Sequence, residues 1–267
     1  MHPQLGRAEA VMAGLPQREP ASSTGLVRAK AIHACPVDRI VEGTRRGGRL
    51  GDRGSVRVDG RQEREINATA EFLRLIQLNP IEVETVRRAP TLGLPDTWVV
   101  SGCLFQTAWN VLAGEDPARA IKDYDLFYFD SSDCSREAEE RANGRAAELF
   151  TDLGCEIDVR NQARVHTWYA QEFGVEGYPR LKRSTDGIDN FLAVCCMVAV
   201  RRTSTGSMDL YAPFGVDDVL ERVMRPNPWY PNAPRDCYNK KAERWRTLWP
   251  DLEVIGIGEA DEEGAAH

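Results

Sequence analysis

The spacing of apolar and polar positions changes at residue 66. Before it, "STGLVRAKAIHACPVDRIVEGTRRGGRLGDRGSVRVDGRQERE" scatters Arg and Gly with neither a helical nor a strand period. Such a segment buries too little to offset its ordering entropy, so residues 1–65 are expected to form a disordered Arg/Gly-rich extension. From Ile66, "INATAEFLRLIQLNP" places Ile66, Ala70 and Leu73 near helical spacing, and Asn79-Pro80 ends that helix. Trp98 to Val100 predict a short strand, Ser101-Gly102 a turn, and Leu104 to Leu112 an apolar-striped helix ended by Gly114. "IKDYDLFYFD" predicts a second strand. "SSDCSREAEERANGRAAELFTDLG" predicts a charged amphipathic helix, with Ser132 or Asp133 as its cap and Gly154 as its stop.

A third strand is expected over "CEIDVRNQARVHTWY", and "FLAVCCMVAV" has the continuous apolar character of a wholly buried strand. Its partner would be "SMDLYAPFG", across a turn at Ser204 to Ser207. Two helical pieces then flank a proline-rich loop, before a tail ending in "GEADEEGAAH". The domain organisation expected is an extension over 1–65, a folded domain over 66–252 and an acidic tail over 253–267. The class is α+β, a mixed β-sheet with helices packed on it.

Composition narrows the partners. The chain carries a net charge of −7, but residues 1–65 hold 12 Lys and Arg against 8 Asp and Glu, which leaves the remainder at −11. So acidic a body does not suit a broad duplex nucleic-acid surface, and any phosphate it handles needs metal ions or a few placed cations. No apolar run approaches the roughly 20 residues of a membrane span, and the first residues lack the apolar core of a signal peptide. A cytoplasmic location is the expectation. The 7 cysteines are scattered without a Cys-x-x-Cys pair, and reduced, mostly buried thiols are expected.

Chemistry concentrates on the first three strands. Side chains two apart in a strand point the same way, so Asp123 and Asp125 share a face at the head of an apolar run. Like charges held side by side repel, and a cation often compensates them. On the third strand Glu156, Asp158 and Arg160 share a face, which can bring another carboxylate beside the first two. The Ser101-Gly102 turn precedes a helix N-terminus, where backbone N–H groups and the dipole favour a phosphate. Mg²⁺ takes oxygen ligands from carboxylates and substrate phosphates, so these parts together describe a site for phosphoryl transfer.

The order of "SGCLFQTAWNVLAG", "DYDLFYFD", "RNQARVH", "YAPFGVDD", "RPNP" and "RWRTLWPDL" between Trp98 and Leu252 resembles the nucleotidyltransferase-like superfamily that includes DNA polymerase beta, and more closely a bacterial family of nucleotidyltransferase proteins. The resemblance implies an α+β nucleotidyltransferase core with Asp123 and Asp125 as metal ligands and Ser101-Gly102 beside the nucleotide phosphates. Ser-Gly stands here where Gly-Ser or Gly-Gly is usual. Asp158, taken over Glu156, completes the catalytic and metal-binding set. Arg164 and Lys240 are the further nucleotide-binding candidates: Arg164 continues the face of the third strand if that strand stays regular, and Lys240 lies four residues from Arg244 on one helix.

Each assignment has a structural counterpart. Asp123 and Asp125 could cap a turn or pair on the surface, and Ser101-Gly102 could be only a tight turn. Arg164, His166 and their neighbours could form a network that fixes the strand, and Lys240 could sit on a solvated face. Trp245 and Trp249 read as core anchors. The function expected is transfer of a nucleoside monophosphate from an NTP such as ATP, with Mg²⁺ or Mn²⁺, to a small-molecule, protein or RNA acceptor, releasing pyrophosphate. The alternative is a weakly active or inactive nucleotidyltransferase-like binding or regulatory module of a toxin–antitoxin or defence system.

Overall fold

The computed structural model describes residues 60–173, 178–229 and 235–256. Most of the extension expected to be disordered, residues 1–59, lies outside them, as do residues 257–267 of the tail. Eight helices occupy Gly60–Ile76 (α1), Pro80–Arg88 (α2), Gly102–Leu112 (α3), Arg136–Leu149 (α4), Tyr169–Phe173 (α5), Ser184–Ile188 (α6), Asp217–Leu220 (α7) and Arg235–Leu248 (α8) among the described residues. The strands are Trp98–Val100 (β1), Asp123–Tyr128 (β2), Glu156–Asn161 (β3), Ala199–Arg202 (β4), Met208–Tyr211 (β5), Val223–Met224 (β6) and Glu253–Val254 (β7). The first helix thus begins six residues before the expected start at Ile66. Glu253 and Val254 pair with β6, so the folded part reaches past Leu252.

Five strands form one mixed sheet in the order β3-β2-β1-β4-β5. Within this sheet only β2 and β3 run parallel; its other three pairs are antiparallel. A parallel pair needs a crossover, and α4 provides it. This helix also completes the edge of the sheet. Asn143 Nδ2 donates to Val159 O at 2.8 Å, Asn143 Oδ1 accepts from Val159 N at 2.9 Å, and Glu139 Oε2 accepts from Asn161 N at 2.8 Å. Side chains of one helix thereby supply partners that a further strand would otherwise give to β3. Ser135, rather than Ser132 or Asp133, caps α4, its Oγ accepting from Ala138 N.

Two expected strands are shorter than the apolar pattern implies. β3 stops at Asn161 because its partner β2 stops at Tyr128, the residue paired with it. Beyond that point Asn161 Oδ1 accepts from Ala163 N and Asp130 N, both at 3.0 Å, and turns the chain into a 3-10 helix over Val165–Thr167. Likewise β4 begins at Ala199, the partner of the last β1 residue, Val100. The preceding Val194–Cys196 form a buried 3-10 turn instead of strand. The six described cysteines are free thiols, three of them buried.

Helix α3 runs through the core. Phe105 and Trp109 on α3 meet Trp245 edge-on, Trp109 meets Trp249 in the same way, and Asn110 Oδ1 accepts from Trp249 Nε1 at 3.1 Å. Trp245 and Trp249 are therefore the core anchors expected of them, holding the end of α8 against α3. Asn79 does a comparable task at the other end: its Oδ1 caps α2 while its Nδ2 donates to Thr107 on α3 and to Tyr124 on β2. Among the described residues no helix is long and apolar enough to cross a membrane.

Glu82, in the first turn of α2, is only 1% exposed and neither carboxyl oxygen has a hydrogen-bond partner. Burial pushes its pKa up to about 8, partly countered by Cys103. The unfolded chain releases this proton near the ordinary carboxylate value and the folded chain holds it to about 8. The unfolded state therefore binds fewer protons between those values, and Glu82 lowers stability progressively as pH rises through that window. Each pKa unit corresponds to about 1.4 kcal/mol. Glu82→Gln is expected to be more stable relative to wild type at pH 8 than at pH 5, measured by denaturant unfolding; an equal difference at both pH values would contradict the assignment.

Candidate active site

The register of the parallel pair sets the site. Asp123 lies opposite Glu156, and Asp125 opposite Asp158, while the antiparallel neighbour β1 places Val100 beside Asp125. With alternate residues on one face, the carboxylates of Asp123, Asp125 and Asp158 gather on the same side of the sheet. The apolar residues Leu126 to Tyr128 root β2 in the core and hold its acidic end in place.

The three acids have different surroundings. Asp125 is 3% exposed, and its Oδ2 has no hydrogen-bond partner. Burial first, then the charges of Asp123 and Asp158, hold its pKa well above the usual carboxylate range, against the pull of Arg160 and Lys241. Asp123 is shifted upward too, by burial and then by Asp158 and Glu156, with Arg244 and Lys122 opposing. Asp158 is turned onto a cation: its Oδ2 accepts from Arg160 Nε at 2.9 Å. Among the described residues, no three His, Cys, Asp or Glu side chains group closely enough to enclose a metal ion. The acids are near enough to repel one another, and Asp158 is engaged by Arg160.

A cleft opens over this face, lined by Ser101, Gly102, Gln106, Asp123 and Asp125 together with Cys196, Lys241, Arg244 and Trp245. Ser101 joins β1 to α3 with φ 56° and ψ −107°. A non-glycine residue in this region is strained by about 1–3 kcal/mol, and such strain persists where its surroundings over-determine it. Ser101 N is fixed by donation to Val198 O at 2.9 Å. The turn faces the cleft with the first residue of α3, so its backbone can approach an anion.

Of the residues predicted from the pattern, Ser101, Gly102, Asp123 and Asp125 line the cleft, and Asp158 adjoins it by register. Arg164 does not continue the strand face. It follows the end of β3, is 9% exposed, and its Nη1 donates to Glu139 at 2.6 Å. Lys240 is exposed, and its neighbour Lys241 enters the cleft with Arg244. The preference for Lys240 followed an i, i+4 spacing with Arg244; α8 instead turns the i, i+3 pair Lys241 and Arg244 inward, because Tyr238, Ala242 and Trp245 bury the adjoining stripe. Burial lowers the Lys241 ammonium from its ordinary value.

Gln106 was not singled out by the sequence pattern. It lies one turn after Gly102, is 8% exposed, and its buried Oε1 has no partner. A Cβ placed on Gly102 would stand 3.2 Å from Gln106 Nε2, so the amide lies against the glycine turn. A glutamine one turn into the helix that follows the Ser101-Gly102 turn was the available signal.

The comparisons with known proteins bear on the family and the fold. A family model described as nucleotidyltransferase matches residues 87–254, which include β1, α3 and both acidic strands. A solved NMR structure described as a CCA-adding enzyme head domain matches with a TM-score of 0.58 at 22% identity, over 70% of this chain and 95% of that one. At that identity the likeness concerns the fold. No curated protein matches. The family match extends over the whole sheet and the cleft, and nucleotidyl transfer is the general chemistry of that family: the chain belongs to the nucleotidyltransferase family.

Proposed function

We propose that the protein transfers a nucleoside monophosphate from an NTP to an acceptor hydroxyl with the help of Mg²⁺, releasing pyrophosphate. One observation carries this reading: a carboxylate oxygen of Asp125 is buried without a partner between two further acids, in a cleft that Lys241 and Arg244 also line. An arrangement of that kind is costly in isolation and is relieved by a divalent ion and a polyphosphate together.

The donor set fits such an ion. All three acids offer hard oxygen ligands, and Asp123 and Asp125 stand two apart on one face of β2, where both can turn toward one ion. Asp123 and Asp125 would hold it, with Asp158 joining after release from Arg160. When bound, the ion would neutralise charge on the phosphates and lower the pKa of the attacking hydroxyl.

The chain's own residues account for the remaining tasks. Lys241 and Arg244 can pair with the phosphate oxygens through charge-assisted hydrogen bonds. The Ser101-Gly102 backbone and the dipole of α3 favour an anion at the turn. Gln106 Nε2, beside Gly102, can donate to a phosphate oxygen in the same place. Phe191 and Leu192, both buried, add apolar surface to the cleft lining. The acceptor class stays open among a small molecule, a protein side chain and an RNA end.

Labelled NTPs incubated with Mg²⁺ or Mn²⁺ and cell extract are expected to yield pyrophosphate and a labelled acceptor. Asp123→Ala and Asp125→Ala should each reduce this to the rate without enzyme. Equal release by wild type and both variants, or none with any NTP, would overturn the reading. Nucleotide binding gives a second expectation: Lys241→Met should weaken NTP affinity about tenfold, as for loss of one charge-assisted hydrogen bond, measured by calorimetry. The affinity for the corresponding nucleoside should not change.

A further inference from the structure

The function above leaves Arg160, a charged side chain beside the acids, without a role. Arg160 follows Asp158 by two residues on β3 and lies on the same face. Its Nε donates to Asp158 Oδ2 at 2.9 Å, and its Nη1 stands 3.7 Å from Glu139 Oε1. Glu139 is itself buried and accepts from Arg164 Nη1 at 2.6 Å. The four side chains form an alternating row, Asp158, Arg160, Glu139, Arg164, that runs from the cleft into the contact between α4 and β3. Asp158 lies opposite Asp125 in the sheet, and the charge of Arg160 also acts on Asp125.

We propose that Arg160 is a resident counter-cation of the acid cluster, which holds Asp158 away from the metal position and passes it to an entering divalent ion by moving fully onto Glu139. The inference rests on the functional reading above. Its physical basis is electrostatic: three acids crowd the end of the parallel pair, and Arg160 is hydrogen-bonded to one of them and opposes the charge around a second. Glu139 makes the transfer inexpensive in free energy. Arg160 already has a second carboxylate within 3.7 Å, so leaving Asp158 strands no buried charge. The exchange breaks the Arg160–Asp158 hydrogen bond and forms one to Glu139, now an ion pair at 3.7 Å, and no proton or covalent bond changes.

Arg160 is therefore a positioning residue that sets metal affinity through Asp158. Its removal should make the site bind metal more tightly, the reverse of what loss of a phosphate contact would do to nucleotide. The test uses chelator-treated full-length protein and titration with Mn²⁺ alone, following free Mn²⁺ by electron paramagnetic resonance. Arg160→Met should tighten Mn²⁺ binding about tenfold, a change of the size typical for residues that orient metal ligands. Arg160→Gln, also neutral but polar, should give the same gain and serves if the Met variant folds poorly. In an Asp158→Asn background the gain should largely disappear, which separates action through Asp158 from a general field effect. If the variants bind Mn²⁺ no more tightly than wild type, or keep the full gain without Asp158, the counter-cation role is wrong while the metal reading stands. If wild type and variants alike bind no Mn²⁺, the metal reading and this inference both fall.

Discussion

The parallel register of β2 and β3 is the constraint on which the rest of the site depends. It sets Asp125 directly across from Asp158 and leaves Asp123 two residues away on the same face. Burial then removes the water that would screen them, and both acids of β2 are pushed above the usual carboxylate range. The fold holds this unfavourable arrangement because the strand is anchored elsewhere. Leu126, Phe127 and Tyr128 are buried to within 2% exposure, and that apolar contact outweighs the repulsion at one end.

Around these charges the protein places cations on two sides. Lys241 and Arg244 come from α8, a helix held against α3 by the contacts of Trp245 and Trp249 with Trp109. Arg160 comes from β3 itself and is backed by Glu139 on the crossover helix. The two groups have different reach. The α8 pair faces the cleft, where a polyphosphate would lie, whereas Arg160 is tied to the acids. The aromatic core and the acidic site are thus coupled through α3: its first turn lines the cleft, and its later turns receive the tryptophans that orient α8.

Much of this could be read from the sequence where a local pattern is also a tertiary one. The run after Asp125 announced a buried strand, and the strand, glycine turn, helix order around Ser101-Gly102 announced the turn beside it. The family resemblance drawn from these motifs is matched by the family model over residues 87–254. What the pattern missed depended on partners distant in the chain. Continuous apolar character at Val194–Cys196 implied strand, but β1 is too short to pair with it. Alternation along "RNQARVH" implied that Arg164 shares the face of Asp158, but β2 ends first and Asn161 turns the chain. The choice between Lys240 and Lys241 depended on which stripe of α8 the tryptophan core would bury, and no spacing rule contains that information.

The central claim is that Asp123 and Asp125 share a divalent ion with the phosphates of a nucleotide in the cleft. Its most direct test is the crystal structure of the protein with Mn²⁺ and a non-hydrolysable NTP analogue, located by the anomalous scattering of manganese. The account predicts an anomalous peak contacted by Asp123 and Asp125, with the triphosphate between the Ser101-Gly102 turn and Lys241 and Arg244. A nucleotide bound elsewhere, or bound in this cleft with no metal at the two aspartates, would contradict it.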